Sequence, residues 1–250
     1  TGELSTAIEY YTRALAKADP VSSPSKKASL LRRLATCYSR IGKCDHALEL
    51  LDKAFALVAD GEDPFELARI IGERGWVHFK RGEYDLSEAD LQAGIDILMG
   101  DEKAKAVAQF YNRLGGVYYR KGDPERAMEL YRAALAMARL LGERQLVGTC
   151  LNNLGLVCKS KGRWLEAKTF FEDALKVAED IGQHFEKATR LSNLGIVHSK
   201  LGDWKKAYRC WTQALDIFIS IGNRWESISV YIALGNYYLT YRDFERAEEY

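Results

Sequence analysis

Small residues recur along this 250-residue chain with an unbroken period of forty. Each period opens with a glycine, at Gly2, Gly42, Gly82, Gly122, Gly162 and Gly202. A second small residue follows five positions later, at Ala7, Ala47, Ser87, Ala127, Ala167 and Ala207. Glycine can adopt the left-handed conformation that ends one helix before the next begins, and small side chains let two helix axes approach closely. The pattern therefore predicts a series of helical hairpins.

The apolar positions within one period have helical spacing. In the clearest copy, Leu151, Leu154, Gly155 and Cys158 stand at i, i+3, i+4 and i+7. After the turn glycine the same spacing returns at Ala167, Phe170, Phe171, Ala174, Leu175 and Ala178. Such stripes are typical of amphipathic helices, and no stretch sustains the period-two alternation that indicates a strand. We expect an all-α solenoid with about five full copies of the hairpin.

The period also predicts how the chain is divided. We expect one solenoid domain over 1–250, excised from a longer protein, because natural helical arrays cover their terminal apolar faces. Partial copies occupy 1–18 and 224–250, and a polar loop with two prolines is expected over 20–27. Complete hairpins are predicted at 28–60, 65–99, 105–142, 146–182 and 186–222.

Composition and charge narrow the classes of function. The formal net charge is only +1, so the chain as a whole has no strong attraction to nucleic acid or to an anionic membrane. No apolar run approaches the length of about 18 residues that spans a bilayer. The five cysteines lie within helical patterns and form no metal-ligand or disulfide spacing, which favours reduced thiols and a cytoplasmic location.

The repeated columns resemble the tetratricopeptide repeat. The match runs through Leu151, Leu154-Gly155, Cys158, Gly162, Ala167, Phe171 and Ala174 and extends over nearly the whole chain. The unit here has forty residues and lacks the closing proline of the common repeat of about 34 residues. In this it is similar to the subset that includes kinesin light chains, the LGN/Pins scaffold, Rap-type bacterial regulators and the sensor arms of bacterial signalling ATPases. The resemblance implies a right-handed α-superhelix that holds a peptide or helix of another protein in a concave groove.

The resemblance also implies which residues face that groove. Three columns on the first helix of each hairpin are expected to line it, with further residues beside them. The candidate partner-binding residues are Arg33, Arg40, Trp76, Phe79, Lys80, Asn112, Arg113, Tyr119, Arg120, Asn152, Asn153, Leu156, Lys159, Asn193 and Lys200.

The chemistry of these side chains suits a protein ligand. Asparagine offers a donor and an acceptor to the backbone of a peptide, and arginine and lysine offer charge-assisted bonds to carboxylates. The alternative for the cations is that they are solvated residues near helix C-termini, where they suit the dipole. Trp76 and Phe79 would expose apolar surface to a partner, unless a long second helix or the loop over 20–27 covers them.

No constellation of catalytic residues is visible. The chain contains no GxxxxGK[ST], HExxH, GxSxG or GxGxxG motif, so we expect neither an enzyme nor a cofactor or metal site. His78 and His198 share a column with Tyr38, Tyr118 and Cys158, which indicates packed core imidazoles.

The predicted function is a scaffold that binds a protein or peptide, preferentially an acidic one, with no direct nucleic-acid or membrane contact. An alternative is the ligand- or peptide-sensing arm of a larger signalling enzyme or transcription regulator. A third class is self-association through uncapped end faces at Tyr231, Leu234 and Tyr238.

Overall fold

The computed structural model describes residues 2–17, 23–60, 63–98 and 104–248. Within these ranges the chain forms thirteen α-helices and no β-strand, which confirms the predicted all-α class. The helices are α1 (Gly2–Lys17), α2 (Pro24–Arg40), α3 (Cys44–Ala56), α4 (Pro64–Arg81), α5 (Tyr84–Ile97), α6 (Ala104–Lys121), α7 (Pro124–Leu140), α8 (Arg144–Ser160), α9 (Trp164–Asp180), α10 (His184–Lys200), α11 (Trp204–Ser220), α12 (Arg224–Thr240) and α13 (Phe244–Glu248).

The helices follow one another as hairpins, and the periodic glycines make the turns. Gly162, between α8 and α9, has a φ of +70°. Its N–H donates to the carbonyl of Lys159 at 3.1 Å, and the N–H of Arg163 donates to the carbonyl of Cys158 at 2.9 Å. These bonds satisfy carbonyls at the end of α8, where intrahelical partners are lacking. We call the helix before each such glycine the first helix of its hairpin.

The loop predicted over 20–27 is wrong in its second half, because α2 begins at Pro24. The side chain of Ser23 accepts a hydrogen bond from the N–H of Lys26 and so caps the helix. Proline at the first helical position loses no hydrogen bond and already has a helical φ angle. The remainder of the predicted loop, over 20–22, lies outside the described residues.

The chain divides into two compact units, Thr1–Met137 and Ala138–Tyr250. In the N-terminal unit, α2 to α4 enclose a core that includes Leu51, Ile70 and Val77, all fully buried. In the C-terminal unit, α10 to α12 enclose a core around Trp211, Phe218, Leu234 and their neighbours. Each first helix thus buries one apolar stripe and leaves a second face for other contacts.

The residues predicted for self-association are already covered. Leu234 is fully buried, and Tyr238 is 6% exposed, with its hydroxyl 3.2 Å from that of Tyr208. Tyr231 is partly buried against the same core cluster. Leu234 and Tyr238 therefore do not form an apolar end face, whereas Tyr231 stays partly exposed. The exposed apolar side chains of α12 are different ones, among them Trp225 and Ile232.

The two column histidines differ in their surroundings. His198 is buried, as predicted. His78 is largely buried too, but its Nδ1 lies 2.6 Å from Oε2 of Glu83, so it belongs to a hydrogen-bonded polar network rather than to an apolar core. Burial lowers the pKa of His198 below its ordinary value, because an imidazolium loses its hydration there.

The buried His198 predicts that the C-terminal unit loses stability in mild acid. With a lowered pKa in the folded state, the unfolded chain binds a proton first as the pH falls below about 6.5. The free energy of unfolding should therefore decrease as the pH falls through that value. Urea unfolding of the full chain between pH 5 and 8 measures it. His198→Tyr, which copies the column residue Tyr118, should weaken this dependence; an unchanged pH profile in the variant would contradict the assignment.

Candidate functional site

The fifteen predicted partner-binding residues all lie on first helices. In the N-terminal unit they are Arg33 and Arg40 on α2, Trp76, Phe79 and Lys80 on α4, and Asn112, Arg113, Tyr119 and Arg120 on α6. In the C-terminal unit they are Asn152, Asn153, Leu156 and Lys159 on α8, and Asn193 and Lys200 on α10. Most are half-buried or exposed, and only Asn152 is buried. We refer to these faces as the first-helix surface of each unit.

Trp76 and Phe79 form a stacked pair on α4. Their ring centroids are 4.9 Å apart and the planes differ by 10°. The guanidinium carbon of Arg113, one hairpin further on, lies 5.3 Å from the Trp76 ring. Both aromatic side chains are half-buried. The Arg113 side chain, on the first helix α6, therefore covers part of this pair, and contact of the pair with a partner stays a prediction.

Arg113 is held in place by three contacts. Besides the Trp76 ring, its Nη1 donates to the carbonyl of Gly72 at 2.8 Å and its Nη2 to Oε2 of Glu73 at 3.0 Å. A guanidinium carries five N–H donors, so these bonds leave others for a ligand. Arg113, which was predicted to bind a carboxylate of a partner, is thus held in place before any partner arrives.

The aromatic pair continues toward the hairpin turn. The ring of Phe79 lies 5.8 Å from that of Tyr84, and the hydroxyl of Tyr84 accepts from Nε of Arg120 at 3.1 Å. Lys80 points the other way along the array, where its Nζ donates to the carbonyl and the Oγ of Ser39. In the N-terminal unit Trp76, Phe79, Arg113 and Arg120 are therefore one connected set, joined through Tyr84.

In the C-terminal unit, asparagines of α8 and α10 form a hydrogen-bonded row. The amide nitrogen of Asn193 lies 3.5 Å from Oδ1 of Asn152, and the amide nitrogen of Asn152 lies 3.5 Å from Oδ1 of Asn153. Nζ of Lys159 donates to Oδ1 of Asn193 at 3.0 Å. Four predicted residues thus lie together. Hydrogen bonds link the three amides in the order Asn193, Asn152, Asn153, and Lys159 joins the row at Asn193.

Lys159 is the unusual member of this row. Burial alone lowers its pKa, and no carboxylate pairs with it among the residues that the structure describes. An amide oxygen neutralises none of the ammonium charge. The free-energy cost of partly removing this ammonium from water is therefore not offset by a counter-ion. An anionic group from outside the chain would restore that balance.

The sequence did not indicate a second cationic cluster on the N-terminal unit. Arg32 and Glu66 form a buried salt bridge, with Nε 2.7 Å from Oε1. Nη1 of Arg69 lies 3.4 Å from the other oxygen of Glu66. Arg32, Glu66 and Arg69 are not among the fifteen predicted partner-binding residues.

Other kinds of site are not indicated in the described ranges. No group of three or more histidine, cysteine, aspartate or glutamate side chains is arranged there to hold a metal ion. None of the five cysteines forms a disulfide, and burial raises the pKa of Cys150 to about 12, which makes it a poor nucleophile. None of the described helices combines the length and the apolarity that a bilayer crossing requires.

Several solved structures share this fold. BtubC (BKLC) from P. vanneervenii is 23% identical, with a TM-score of 0.71, over 88% of this chain and 90% of that one. A Rap protein complexed with competence and sporulation factor is 15% identical, with a TM-score of 0.66, over 99% and 74% of the two chains. A signal transduction ATPase with a tetratricopeptide repeat sensor, from Pyrococcus horikoshii, is 15% identical, with a TM-score of 0.69, over 93% and 39%. No curated protein sequence matches this chain.

Family models identify the repeat itself. A tetratricopeptide repeat model matches residues 106–180 and 186–250, which together make up more than half of the chain. A PPR repeat model matches residues 33–54, within the α2–α3 hairpin. The matched regions carry the glycine turns and the small-residue columns described above. The chain therefore belongs to the tetratricopeptide repeat family.

Proposed function

We propose that this chain is a protein-interaction module whose first-helix surface binds an acidic segment of a partner protein, as an extended peptide or as a helix. The observation that carries the proposal is Lys159, a half-buried ammonium bonded to an amide and to no carboxylate within the described residues. Asn152, Asn153 and Asn193 stand beside it, and amides can bond a peptide backbone in either direction.

Two further observations support a protein ligand. The connected set around Trp76 and Arg113 offers aromatic area and guanidinium donors, which are the residue types that dominate binding energy at interfaces. The Rap neighbour was crystallised with competence and sporulation factor, so the same fold is found in complex with a signalling factor. Binding rather than catalysis is the function that these surfaces fit.

Peptide selection tests the proposal without knowledge of the natural partner. Peptides selected from a random displayed library against the full chain should be enriched in aspartate and glutamate, and their affinity should fall with added salt. Lys159→Gln should weaken the best peptide by about tenfold, because one charge-assisted bond is lost. Fluorescence anisotropy measures the dissociation constants.

The matched control is Lys205→Gln, which removes the same charge from an exposed position on the second helix α11. It should leave the affinity within twofold of the original value. Selected peptides with no acidic bias, or equal effects of the two substitutions, would overturn the proposal.

A second candidate is a sensor arm within a larger regulator. The similarity to the ATPase with a tetratricopeptide repeat sensor favours it, and this chain spans 39% of that protein. An ATPase, kinase or DNA-binding domain beside these repeats in the full-length gene would support the sensor; further repeats alone would support the scaffold. Self-association stays a prediction for either candidate, although not through Leu234 and Tyr238.

A further inference from the structure

One buried position of α10 carries a charge where the other repeats have an apolar residue. Arg190 is only 7% exposed. At steps of forty residues along the chain, the other members of its column are Leu30, Ile70, Phe110, Cys150 and Val230. All of these except Leu30 are buried as well. The packing of the repeat therefore does not require an arginine at this position.

The guanidinium of Arg190 lacks a bonded counter-charge. Its Nε is buried and has no hydrogen-bond partner within the described ranges, and no carboxylate there forms a salt bridge with it. Burial lowers the pKa of Arg190 below its ordinary value, and the charge of Glu186, one helical turn earlier, opposes that shift only in part. The free-energy cost of desolvating this cation is therefore not offset inside the unit.

The other buried arginine of the described residues shows the usual arrangement. Arg32 is also 7% exposed, and its Nε lies 2.7 Å from a carboxylate oxygen of Glu66. Buried charges in proteins are normally paired in this way. A residue that breaks this rule lowers stability, and such residues are expected where a function uses them. Arg190 is therefore a candidate for binding an anion from outside the chain.

The position of Arg190 borders the first-helix surface of the C-terminal unit. Two periods earlier, Phe110 and Arg113 line a cavity of about 510 Å³ on the first-helix surface of the N-terminal unit. Arg190 precedes Asn193 by three residues, as Phe110 precedes Arg113, and residues at this spacing are neighbours on a helix face. Asn193 accepts a hydrogen bond from Lys159. A long side chain at position 190 can therefore reach the surface that carries the row of Lys159 and the asparagines.

We propose that Arg190 binds a carboxylate side chain of the partner's acidic segment and so forms a second anionic anchor beside Lys159. The Nε–H and a neighbouring Nη–H form one edge of the guanidinium, and this edge matches the two oxygens of a carboxylate. A carboxylate neutralises the single charge of Arg190, whereas the nearby charge of Glu186 disfavours a dianion such as phosphate. The inference rests on the proposed function, because it assigns a further group of the same segment to the same surface.

Propionate, which has the chemistry of a glutamate side chain, tests this site in the full chain. The Nε–H signal of Arg190 in a proton–nitrogen correlation spectrum is identified by its loss in Arg190→Leu. Propionate should shift this signal in a saturable way at constant ionic strength, because its carboxylate accepts from the Nε–H. Propionamide, a neutral molecule of the same shape, should bind at least tenfold more weakly, and inorganic phosphate should bind no more tightly than propionate.

The column itself offers a substitution that separates binding from folding. Arg190→Leu copies Leu30, and loss of the unpaired charge should slow hydrogen exchange of the α10 amides about tenfold. The same variant should weaken the acidic peptides selected from the displayed library about tenfold. The matched control Arg209→Leu makes the same change at an exposed position on α11 and should alter the peptide affinity less than twofold. An arginine with a merely structural role would not combine slower exchange with weaker binding when it is replaced.

Several results would overturn the inference. They are an Nε–H signal that propionate does not shift, equal binding of propionamide, tighter binding of phosphate, faster exchange of α10 in Arg190→Leu, or equal effects of Arg190→Leu and Arg209→Leu on the peptides. Tighter binding of propionate than of the peptides would assign the site to a free small acid and would also contradict it.

Failure of this site is distinguishable from failure of the proposed function. Acidic peptides that depend on Lys159 but not on Arg190 would leave the interaction module intact and remove this anchor alone. Propionate binding at Arg190, together with selected peptides that lack an acidic bias, would instead refute the proposed function and with it the partner as the source of the carboxylate.

Discussion

Glu66→Ala is expected to destabilise the N-terminal unit by about 3–5 kcal/mol, which is the usual effect of breaking a buried ion pair from one side. The side chains of Arg32 and Glu66 are only 9% and 6% exposed, and their atoms are 2.7 Å apart. Without the carboxylate, the guanidinium of Arg32 would stay buried beside Arg69, with no counter-charge at either oxygen position. The loss should fall on α2 to α5 first.

The measurement must resolve the repeats from one another, because helical arrays open locally and a single midpoint averages over them. Hydrogen exchange with mass spectrometry does so, through peptides from α2 to α5 and from α9 to α12. The control is Asp45→Ala, which removes an exposed carboxylate paired with Arg81 at 2.5 Å and should cost less than about 1 kcal/mol. Equal protection in the two variants would contradict the role assigned to Glu66.

The double variant Arg32→Met/Glu66→Leu gives a second check on the same pair. Replacing a buried ion pair by apolar residues of similar size is often neutral or stabilising, since neither charge then needs to be desolvated. We therefore expect the double variant to be more stable than Glu66→Ala, despite its additional substitution. If the double variant is the less stable of the two, packing rather than charge dominates at this site.

The sequence predicted the hairpins because each periodic glycine indicates both where a turn lies and which parts of the two helices touch. A glycine such as Gly162 provides the left-handed turn, and its constant distance from the small residues on both helices sets which turns of the helices touch. The start of α2 was misjudged for a local reason. Pro24 was taken as a helix breaker, whereas at the first helical position proline is favoured.

The sequence predicted which helix face carries the candidate residues, but it did not predict which of their side chains touch one another. Periodicity placed Arg113 and Trp76 on the first-helix surface, yet it could not tell that the guanidinium lies over the indole. It also missed Arg69, because long side chains reach across helices in directions that spacing does not determine. The sequence predicted Lys159 and the three asparagines as separate candidates. Only the side-chain positions show that hydrogen bonds join them into a row.

Seven residues before each of four turn glycines lies another glycine, at Gly75, Gly115, Gly155 and Gly195, and it faces a large side chain on the second helix. A Cβ at Gly155 would lie 2.6 Å from the ring of Phe171, and one at Gly195 would lie 2.3 Å from Nε1 of Trp211. Both large side chains are buried, so they have no open space to move into. Helix packing therefore requires small residues in this column, and the conformation of the turn does not.

Gly195→Ala is accordingly expected to destabilise the C-terminal unit by about 2 kcal/mol, in spite of the higher helix propensity of alanine. The control is Gly116→Ala on α6, where a Cβ meets its nearest atom, the hydroxyl of Tyr131, at an ordinary 3.6 Å. There the propensity gain of up to about 1 kcal/mol should remain, so the two glycine-to-alanine changes should have opposite signs. Hydrogen exchange with mass spectrometry, through peptides from α6 and from α10, measures both.

The cause can be isolated by making Gly195→Ala again in a Trp211→Leu background. Leucine is the residue that faces Gly75 in the second complete hairpin, so the fold already accommodates it in this column. If overlap with the indole is the cause, the alanine should cost less in the variant background than in the original chain, and the difference is the coupling free energy of the pair. An equal cost in both backgrounds would place the strain in the backbone of α10 instead.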